Sequence, residues 1–249
     1  MAQENDEPTD DVEPVQSKGT LTSKAYRELL DRIMRLELAP GASFSESEMA
    51  SELELSKTPV REALVMLMGH RFVTVQRRSG YVVTPITLRE ARDLFAVRQI
   101  LEPAAAAMAA DASLSAMRLE SLRDLAAAAA DPDADVDAVL RANSRFHHNL
   151  VGATHNHQLL RALQGVNLHT RRLYRLIVEL HGRPDEIRHD HTDLLEAVAA
   201  GRADVARQIV EQDLERSYKW AFDALMSADV LQSTNIGTAV DNGDDEDVD

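Results

Sequence analysis

The spacing of apolar residues changes twice along this chain of 249 residues, and each change limits the folds open to it. Between residues 21 and 67, apolar residues recur at the spacing of a helix. They alternate with polar residues at 72–76 and 81–84, as in strands, and a basic turn joins these two segments. From Leu88 onward only helical spacing is found. The pattern predicts a mainly α protein: three helices and a two-stranded hairpin, followed by an all-helical region.

Residues that stop or cap helices mark the boundaries within the first region. A Pro-Gly pair at 40–41 ends the first predicted helix. Ser45, with Glu48 three residues later, forms a capping-box pattern that begins a second helix. Ser56 suits the cap of a third helix that has Pro59 in its first turn. Three helices followed by a basic hairpin are the order of a winged helix-turn-helix.

The net charge of −15 is concentrated at the two ends of the chain. Residues 1–17 carry six acidic and no basic residues, and residues 228–249 carry seven acidic and no basic residues. Residues 18–86 carry ten basic and eight acidic residues, so this segment is the only basic one and the overall acidity does not argue against its binding double-stranded DNA. We predict that residues 1–19 and 228–249 are disordered acidic tails. The alternative is that the tails mimic DNA and weaken non-specific binding.

Other features of the sequence indicate the cytoplasm. No apolar run approaches the roughly 18 residues that a membrane span requires, and the acidic N-terminus does not resemble a secretory signal. The absence of cysteine excludes disulfides and thiolate metal ligands. We therefore expect a cytoplasmic protein with no membrane partner.

The segment at 55–64, Leu-Ser-Lys-Thr-Pro-Val-Arg-Glu-Ala-Leu, resembles the recognition-helix motif of GntR-family regulators. Leu-Ala-Pro-Gly at 38–41 and Arg-Ser-Gly at 78–80 match the same family. The helical region resembles the FadR branch, whose sensor is called the FCD domain. The resemblance implies a winged helix-turn-helix at 20–85 and an effector-binding, antiparallel bundle of about six helices at 86–227. It also implies that the chain is not an enzyme.

In a helix-turn-helix, the N-terminal part of the second helix of the motif enters the major groove, while neighbouring segments contact phosphates. Arg61 suits bidentate contact with guanine, and an ion pair with Glu62 or with a neighbouring helix is the alternative. For Arg77 and Arg78 at the tip of the hairpin, or wing, the alternative to DNA contact is that they only aid solubility. Lys57 and Arg71 depart from the family, which commonly has arginine and glycine there. The predicted DNA-binding residues are Ser45, Ser47, Lys57, Thr58, Arg61, Arg77, Arg78 and Gly80.

Two segments of the helical region resemble the metal-binding pattern of the FCD domain. Asn143 and His147 are four residues apart and share one helix face, while His191 lies in a helix predicted at 184–200 and Asp213 in the last helix. The resemblance implies that these four residues hold a divalent metal, Zn²⁺, Ni²⁺ or Mn²⁺. The family pattern is a carboxylate and three histidines, from which Asn143 and Asp213 depart. The alternative is a site without metal, whose side chains bind the effector directly.

The effector that the resemblance implies is a small carboxylate metabolite. Arg98, Arg145 and Arg172 are the candidate effector-binding residues, because a guanidinium group suits a carboxylate. For Arg98, an ion pair with Glu102 is the alternative. The other histidines are interpreted as solvated, and His189 is expected to point away from the site.

These observations lead to a functional hypothesis: a homodimer that binds an inverted repeat in DNA, represses transcription and changes its DNA affinity when an effector binds. One alternative is a DNA-binding protein whose helical domain only dimerises and does not respond to effectors. A remote alternative is a metal-dependent enzyme that uses two histidines and a carboxylate. No second catalytic constellation accompanies those residues, which disfavours the enzyme.

Overall fold

The computed structural model describes residues 20–76, 80–182 and 184–227. Both predicted acidic tails lie outside the described residues, as do Arg77 and Arg78. The described chain forms an N-terminal domain of three helices and three short strands, then a helical domain of six α-helices and one 3-10 helix. The predicted mainly α fold is confirmed.

The N-terminal domain contains a small antiparallel sheet in the order β1-β3-β2. The prediction of a two-stranded hairpin was incomplete, because a third strand pairs Ser43 with Val82 and Phe44 with Tyr81. Two residues are too few for alternation to be recognisable in a sequence. The elements are α1 (Leu21–Met34), β1 (Ser43–Phe44), α2 (Glu46–Glu52), α3 (Lys57–Gly69), β2 (Val73–Gln76) and β3 (Gly80–Val83).

Local interactions explain where these helices begin and how they pack. Ser45 and Glu48 form the predicted capping box, in which each side chain accepts from the other residue's backbone N–H. Helices α1 and α3 pack against each other and share one core, in which Leu29 and Leu64 are both 0% exposed. Burying such a side chain stabilises the fold by roughly 1.5–3 kcal/mol. Arg71 has φ 62°, so the turn after α3 keeps the left-handed conformation that the family usually gives to glycine.

The helical domain is built around α4, which packs against α6, α7, α8 and α9. Buried alanines such as Ala106 and Ala109 let neighbouring helices approach α4 closely. Among the described residues, no helix is both long and apolar enough to cross a membrane. The elements are α4 (Leu88–Asp111), α5 (Ala116–Ala130), α6 (Val136–Gly152), α7 (His157–His181), the 3-10 helix (Pro184–Ile187), α8 (Thr192–Ala199) and α9 (Ala203–Met226).

The helix predicted at 184–200 was wrong in its first half. After the 3-10 helix, residues 188–191 are not helical, and His191 is the N-cap residue of α8. The Asp190 carboxylate accepts the backbone N–H of Thr192 at 2.9 Å. This local turn competes with a continuous helix and delays the start of α8.

One face of α7 joins the two domains. Leu168 packs into the core of the N-terminal domain. The Nε2 atom of His169 lies 2.9 Å from the carbonyl oxygen of His70, and Arg172 donates from Nη2 to the carbonyl oxygen of Thr84 at 2.5 Å. The N-terminal domain is therefore docked on a helix of the helical domain.

Candidate functional site

The N-terminal part of α3 presents polar side chains to solvent. Lys57 and Thr58 are exposed, and the side chain of Arg61 is 64% exposed. Pro59 and Val60 are buried on the opposite side of the same turns. The helix is thus anchored by its apolar face and leaves these three polar side chains accessible to a partner.

Arg61 forms a two-point ion pair with Glu46 at the start of α2. Its Nε and Nη2 atoms each donate to a Glu46 carboxylate oxygen at 2.9 Å. The alternative of an ion pair is therefore observed, and the partner lies on the neighbouring helix α2. Glu62 instead accepts from the hydroxyl of Thr22 at 2.6 Å. The Glu46 contact orients the guanidinium group and would compete with DNA for it.

The remaining predicted DNA contacts lie beside α2 and the sheet. Ser45 is the N-cap of α2, and Ser47 is exposed in its first turn. Gly80 has φ 93°, and a Cβ atom there would lie 2.6 Å from the carbonyl oxygen of Phe44. Close approach to β1 is therefore a structural reason for this glycine, whereas the sequence interpretation gave it a contact with DNA.

The four predicted metal ligands come together in the helical domain. Asn143, His147, His191 and Asp213 line one cavity between α4, α6, α9 and the segment before α8. It has room for about one water-sized group, about 20 Å³. We call it the histidine cavity.

His191 is held in the histidine cavity by stacking and by a hydrogen bond. Its ring is stacked on Phe146, with centroids 4.1 Å apart, and its Nε2 lies 2.8 Å from Oδ1 of Asn143. Since an amide oxygen accepts, Nε2 carries the proton and Nδ1 carries a lone pair. Among the described residues, no group hydrogen-bonds to that buried Nδ1. The Nδ1 lone pair of His191 is therefore available to bind a metal or to accept a hydrogen bond from a ligand.

His189 also lines this cavity, contrary to the expectation that it points away. Its ring centroid is 6.1 Å from that of His191, and the two rings are nearly parallel. The expectation assumed a helix, in which residues two apart diverge. In the non-helical segment at 188–191, the two side chains lie on the same side.

A buried network of Arg98, Glu102 and Tyr174 forms another wall of the cavity. Arg98 donates to Glu102 from Nε at 2.6 Å and from Nη2 at 3.4 Å, and it donates to the Tyr174 hydroxyl at 3.1 Å. Burial lowers the pKa of Arg98, but Glu102 and Tyr174 outweigh this and raise it above its ordinary value. The predicted alternative, an Arg98–Glu102 ion pair, is observed, and Arg98 still reaches the cavity.

Burial keeps the histidines of the cavity neutral. It lowers the pKa of His147 to about 3 and that of His189 to about 4, in each case with a further contribution from Arg98, and it lowers the pKa of His191 well below 6.5. Burial also raises the pKa of Asp213, against the effect of its hydrogen bond with Arg216. Neutral imidazole is the form that binds a metal or exchanges hydrogen bonds with a ligand.

The donor types fit a divalent metal, since two neutral imidazoles, a carboxylate and an amide oxygen face one cavity. Their placement is that of a hydrogen-bonded site. Within the described ranges, no three His, Asp or Glu side chains converge closely enough to hold an ion. Asn143 is bonded to His191, and Asp213 is bonded to Arg216.

The other two candidate effector residues lie elsewhere. Arg172 is 1% exposed and reaches Thr84 of the N-terminal domain, and burial lowers its pKa to about 10. Arg145 is half-buried on α6 and is not among the residues that line the histidine cavity. The structure thus brings Arg98 to the cavity and separates Arg172 from it.

Comparisons with known proteins agree with this division of the chain. Residues 21–83 match the family "Bacterial regulatory proteins, gntR family", and residues 93–216 match the FCD domain. An uncharacterized HTH-type transcriptional regulator of Agrobacterium vitis is 32% identical over 133 residues, which cover 52% of this chain and 78% of that protein. The uncharacterized HTH-type transcriptional regulator BphR of Paraburkholderia xenovorans is 28% identical over 212 residues, covering 82% and 86%.

A solved structure has the same fold. Escherichia coli McbR/YncC superposes with a TM-score of 0.70 at 21% identity, covering 82% of this chain and 98% of that one. Both matched families consist of regulators or their sensor domains, and the relatives are transcription regulators. The chain therefore belongs to the GntR family of bacterial regulatory proteins, in the branch with an FCD domain, and it is a transcription regulator rather than an enzyme.

Proposed function

We propose that this regulator binds an inverted-repeat operator in double-stranded DNA as a homodimer, acts in the cytoplasm and represses transcription. The observation that carries this proposal is the exposed N-terminal part of α3, where Lys57, Thr58 and Arg61 are accessible on a helix whose apolar face is buried. On DNA, Arg61 would exchange Glu46 for the edge of a guanine, and Lys57 would contact phosphate. A dimer seated over a promoter would block the polymerase.

The other predicted contacts complete this interface. Arg77, Arg78 and Gly80 would bring the wing to phosphate or the minor groove, and Ser45 and Ser47 would meet the backbone at the start of α2. The proposed protein has a DNA-binding domain at 20–85 and a sensor domain at 86–227, flanked by acidic tails. The tails would repel DNA and so restrict binding to the basic domain.

The proposed homodimer is supported by an exposed apolar stripe on α4. Val97, Ile100 and Met108 are 37%, 72% and 39% exposed and lie on one side of this helix. Two copies that bury such stripes against each other would be related by a two-fold axis, as an inverted repeat requires.

The proposed effector is a small carboxylate metabolite that binds at the histidine cavity. Arg98 supplies a positive charge at its wall. A Zn²⁺, Ni²⁺ or Mn²⁺ ion would be held by His147, His191 and Asp213 with the amide oxygen of Asn143, after Asn143 releases His191 and Asp213 releases Arg216. When bound, the metal would supply an open coordination position for an oxygen of the effector.

Helix α7 is the proposed route from the effector to DNA. Tyr174 faces the histidine cavity and bonds to Arg98, while Leu168, His169 and Arg172 face the N-terminal domain. A ligand that shifts Tyr174 would move the same helix on which the N-terminal domain is docked. The effector would change the affinity for DNA only if it binds more tightly to one of the two positions of α7 than to the other.

Selection of bound fragments from genomic DNA, followed by footprinting, tests the proposal. We expect a protected inverted repeat that survives excess non-specific competitor, with a stoichiometry of one dimer. Binding that competitor DNA removes would contradict it. The alternative of an effector-blind dimer makes the same DNA prediction, but then no small carboxylate would raise the melting temperature of the protein.

A further inference from the structure

The contact between the N-terminal domain and α7 has an apolar part and a polar part. Leu168 is 2% exposed and packs into the core of the N-terminal domain, and His169 is stacked on Phe72. One turn after Leu168, Arg172 reaches across to the carbonyl oxygen of Thr84. We call this contact, made by these five residues, the domain latch. Burial of the apolar part favours the docked arrangement.

The polar part of the latch buries an arginine with little compensation. Arg172 is 1% exposed, and within the described part of the chain its Nε atom and the buried hydroxyl of Thr84 have no hydrogen-bond partner. Burial lowers the pKa of Arg172, and Glu90 of α4 opposes this by its charge, without a hydrogen bond between the two. A buried guanidinium group without a bonded carboxylate is less stable there than in water. The polar part therefore opposes docking.

The carboxylate that offsets this charge is shared between two arginines. Glu90 lies half-buried in the first turn of α4, where burial raises its pKa and the charges of Arg172 and Arg71 oppose this. Arg71 acts on it from the turn after α3, in the other domain. The nearby carboxylate of Asp93 already has a partner, Arg92. Glu90 therefore serves two guanidinium groups at the boundary between the domains.

Arg98 shows how the same chain compensates a buried arginine inside one domain. It is 5% exposed, and its guanidinium group donates two hydrogen bonds to Glu102 and one to Tyr174. In the described ranges, the hydrogen bond of the Arg172 side chain goes to a backbone carbonyl alone. Arg98 thus connects helices that share a domain, whereas Arg172 lies where two domains meet. That boundary can open while each domain keeps its own core.

We infer that the N-terminal domain docks reversibly on α7 and that Arg172 keeps the docked arrangement weak. Release of the domain hydrates the guanidinium group and the hydroxyl of Thr84, whereas docking buries Leu168. These opposing contributions bring the docked and released arrangements close in free energy, as a switch between two arrangements requires. The inference goes beyond the proposed function, because it concerns how the N-terminal domain is held and not what it binds.

Thiol labelling of the full chain measures the opening of the latch, since the sequence contains no cysteine. Leu168→Cys places a thiol under the N-terminal domain, and the matched control Leu173→Cys places one on the same helix, in a core of the helical domain. Without DNA, we expect the thiol of Leu168→Cys to react at least about tenfold faster than that of Leu173→Cys, because the latch opens without unfolding of the helical domain. Equal rates would overturn the inference.

Two further substitutions should change the opening of the latch in opposite directions. Added to Leu168→Cys, Arg172→Met should slow labelling about tenfold, because an apolar side chain of similar length fills the space without a buried charge. Glu90→Gln should speed labelling about threefold, because it removes the carboxylate that offsets Arg172. Neither should change the rate of Leu173→Cys, which reports whether the helical domain stays folded.

Unchanged or faster labelling in Arg172→Met would mean that Arg172 does not weaken the latch, and would overturn the inference. The measurement contains no DNA, so its result does not depend on the proposed operator. A protein that selects an operator but keeps its latch closed would lose only the inference. A protein with an opening latch and no operator would lose only the proposed function.

Discussion

His169 of α7 is stacked on Phe72 of the N-terminal domain, with ring centroids 4.4 Å apart and planes 19° from parallel. The same imidazole lies 2.9 Å from the carbonyl oxygen of His70 through its Nε2 atom. One residue of the sensor thus contacts the turn after α3, the helix proposed to read DNA. Because α7 also carries Tyr174 of the histidine cavity, the stack is part of a physical link between that cavity and the N-terminal domain.

A double-mutant cycle with His169→Ala and Phe72→Leu measures this link. We expect a coupling energy of about 0.5–1.5 kcal/mol in urea unfolding, since stacked aromatic pairs contribute that much beyond burial. His181→Ala is the matched control, because His181 also approaches a carbonyl oxygen at 2.9 Å, that of Ala224, but within the helical domain. The losses of unfolding free energy in His181→Ala and Phe72→Leu should add in the double mutant. Additivity in the His169 pair as well would mean that the stack does not couple the domains.

The same histidine makes folding stability depend on pH. Burial lowers the pKa of His169 to about 4, against the hydrogen bond that its Nε2 makes to the His70 carbonyl oxygen, and the neighbouring Arg172 and Arg71 lower this pKa further. The unfolded chain takes up this proton near pH 6.5, so the contribution is complete above that pH and is lost as pH falls toward 4.

Between pH 7.5 and pH 5, this loss should reach about 2 kcal/mol at most. Urea unfolding of the wild type and of His169→Phe at both pH values measures it, because the variant keeps an aromatic ring and cannot titrate. The variant should lose less stability than the wild type over this interval. An identical loss would assign the pH dependence to other groups.

Gly80 lies against strand β1 whereas Gly41 has open space around it. Alanine at each position therefore separates the cost of the close approach from the cost of a positive φ. Both have positive φ, 93° and 82°. A Cβ at Gly80 would lie 2.6 Å from a backbone oxygen of β1, whereas one at Gly41 meets nothing within 4 Å. We expect Gly41→Ala to cost about 1 kcal/mol and Gly80→Ala clearly more, since strand β1 must move. Thermal unfolding tests this, and equal losses would contradict the close approach.

Metal binding is tested by elemental analysis of protein purified without a histidine tag. After incubation with Zn²⁺, Ni²⁺ or Mn²⁺ and removal of excess ion, we expect about one metal per chain, lost in His147→Ala and in His191→Ala. His181→Ala, outside the cavity, should keep it. No metal in the wild type would mean that Asn143 and Asp213 abolish the site and that the effector is held by hydrogen bonds alone.

Local patterns made the N-terminal domain predictable. The capping box of Ser45 and Glu48 and the buried side of α3 at Pro59 and Val60 depend on residues a few positions apart, and the structure has both. The sequence left open whether the turn at Arg71 differs from the family's glycine turn, and the φ of 62° shows that the left-handed conformation is kept.

The cavity was predictable in part. The four proposed ligands share one cavity, but the place of His189 depends on a helix break set by Asp190 and Thr192. Arg172 was assigned to the effector, yet its partner Thr84 lies in the other domain. Contacts between residues so distant in sequence leave no periodic pattern, and Glu46 opposite Arg61 is a further example.

The central claim is that α3 reads DNA, and a binding measurement tests it most directly. Fluorescence anisotropy with excess competitor DNA gives the affinity of the protein for its selected operator fragment. Arg61→Ala should weaken binding by about five- to 150-fold, the range for one bidentate base contact. Arg123→Ala removes a similarly exposed arginine of α5 and should stay near the wild-type affinity. If Arg61→Ala binds as tightly as Arg123→Ala, α3 does not read the DNA and the proposed function is contradicted.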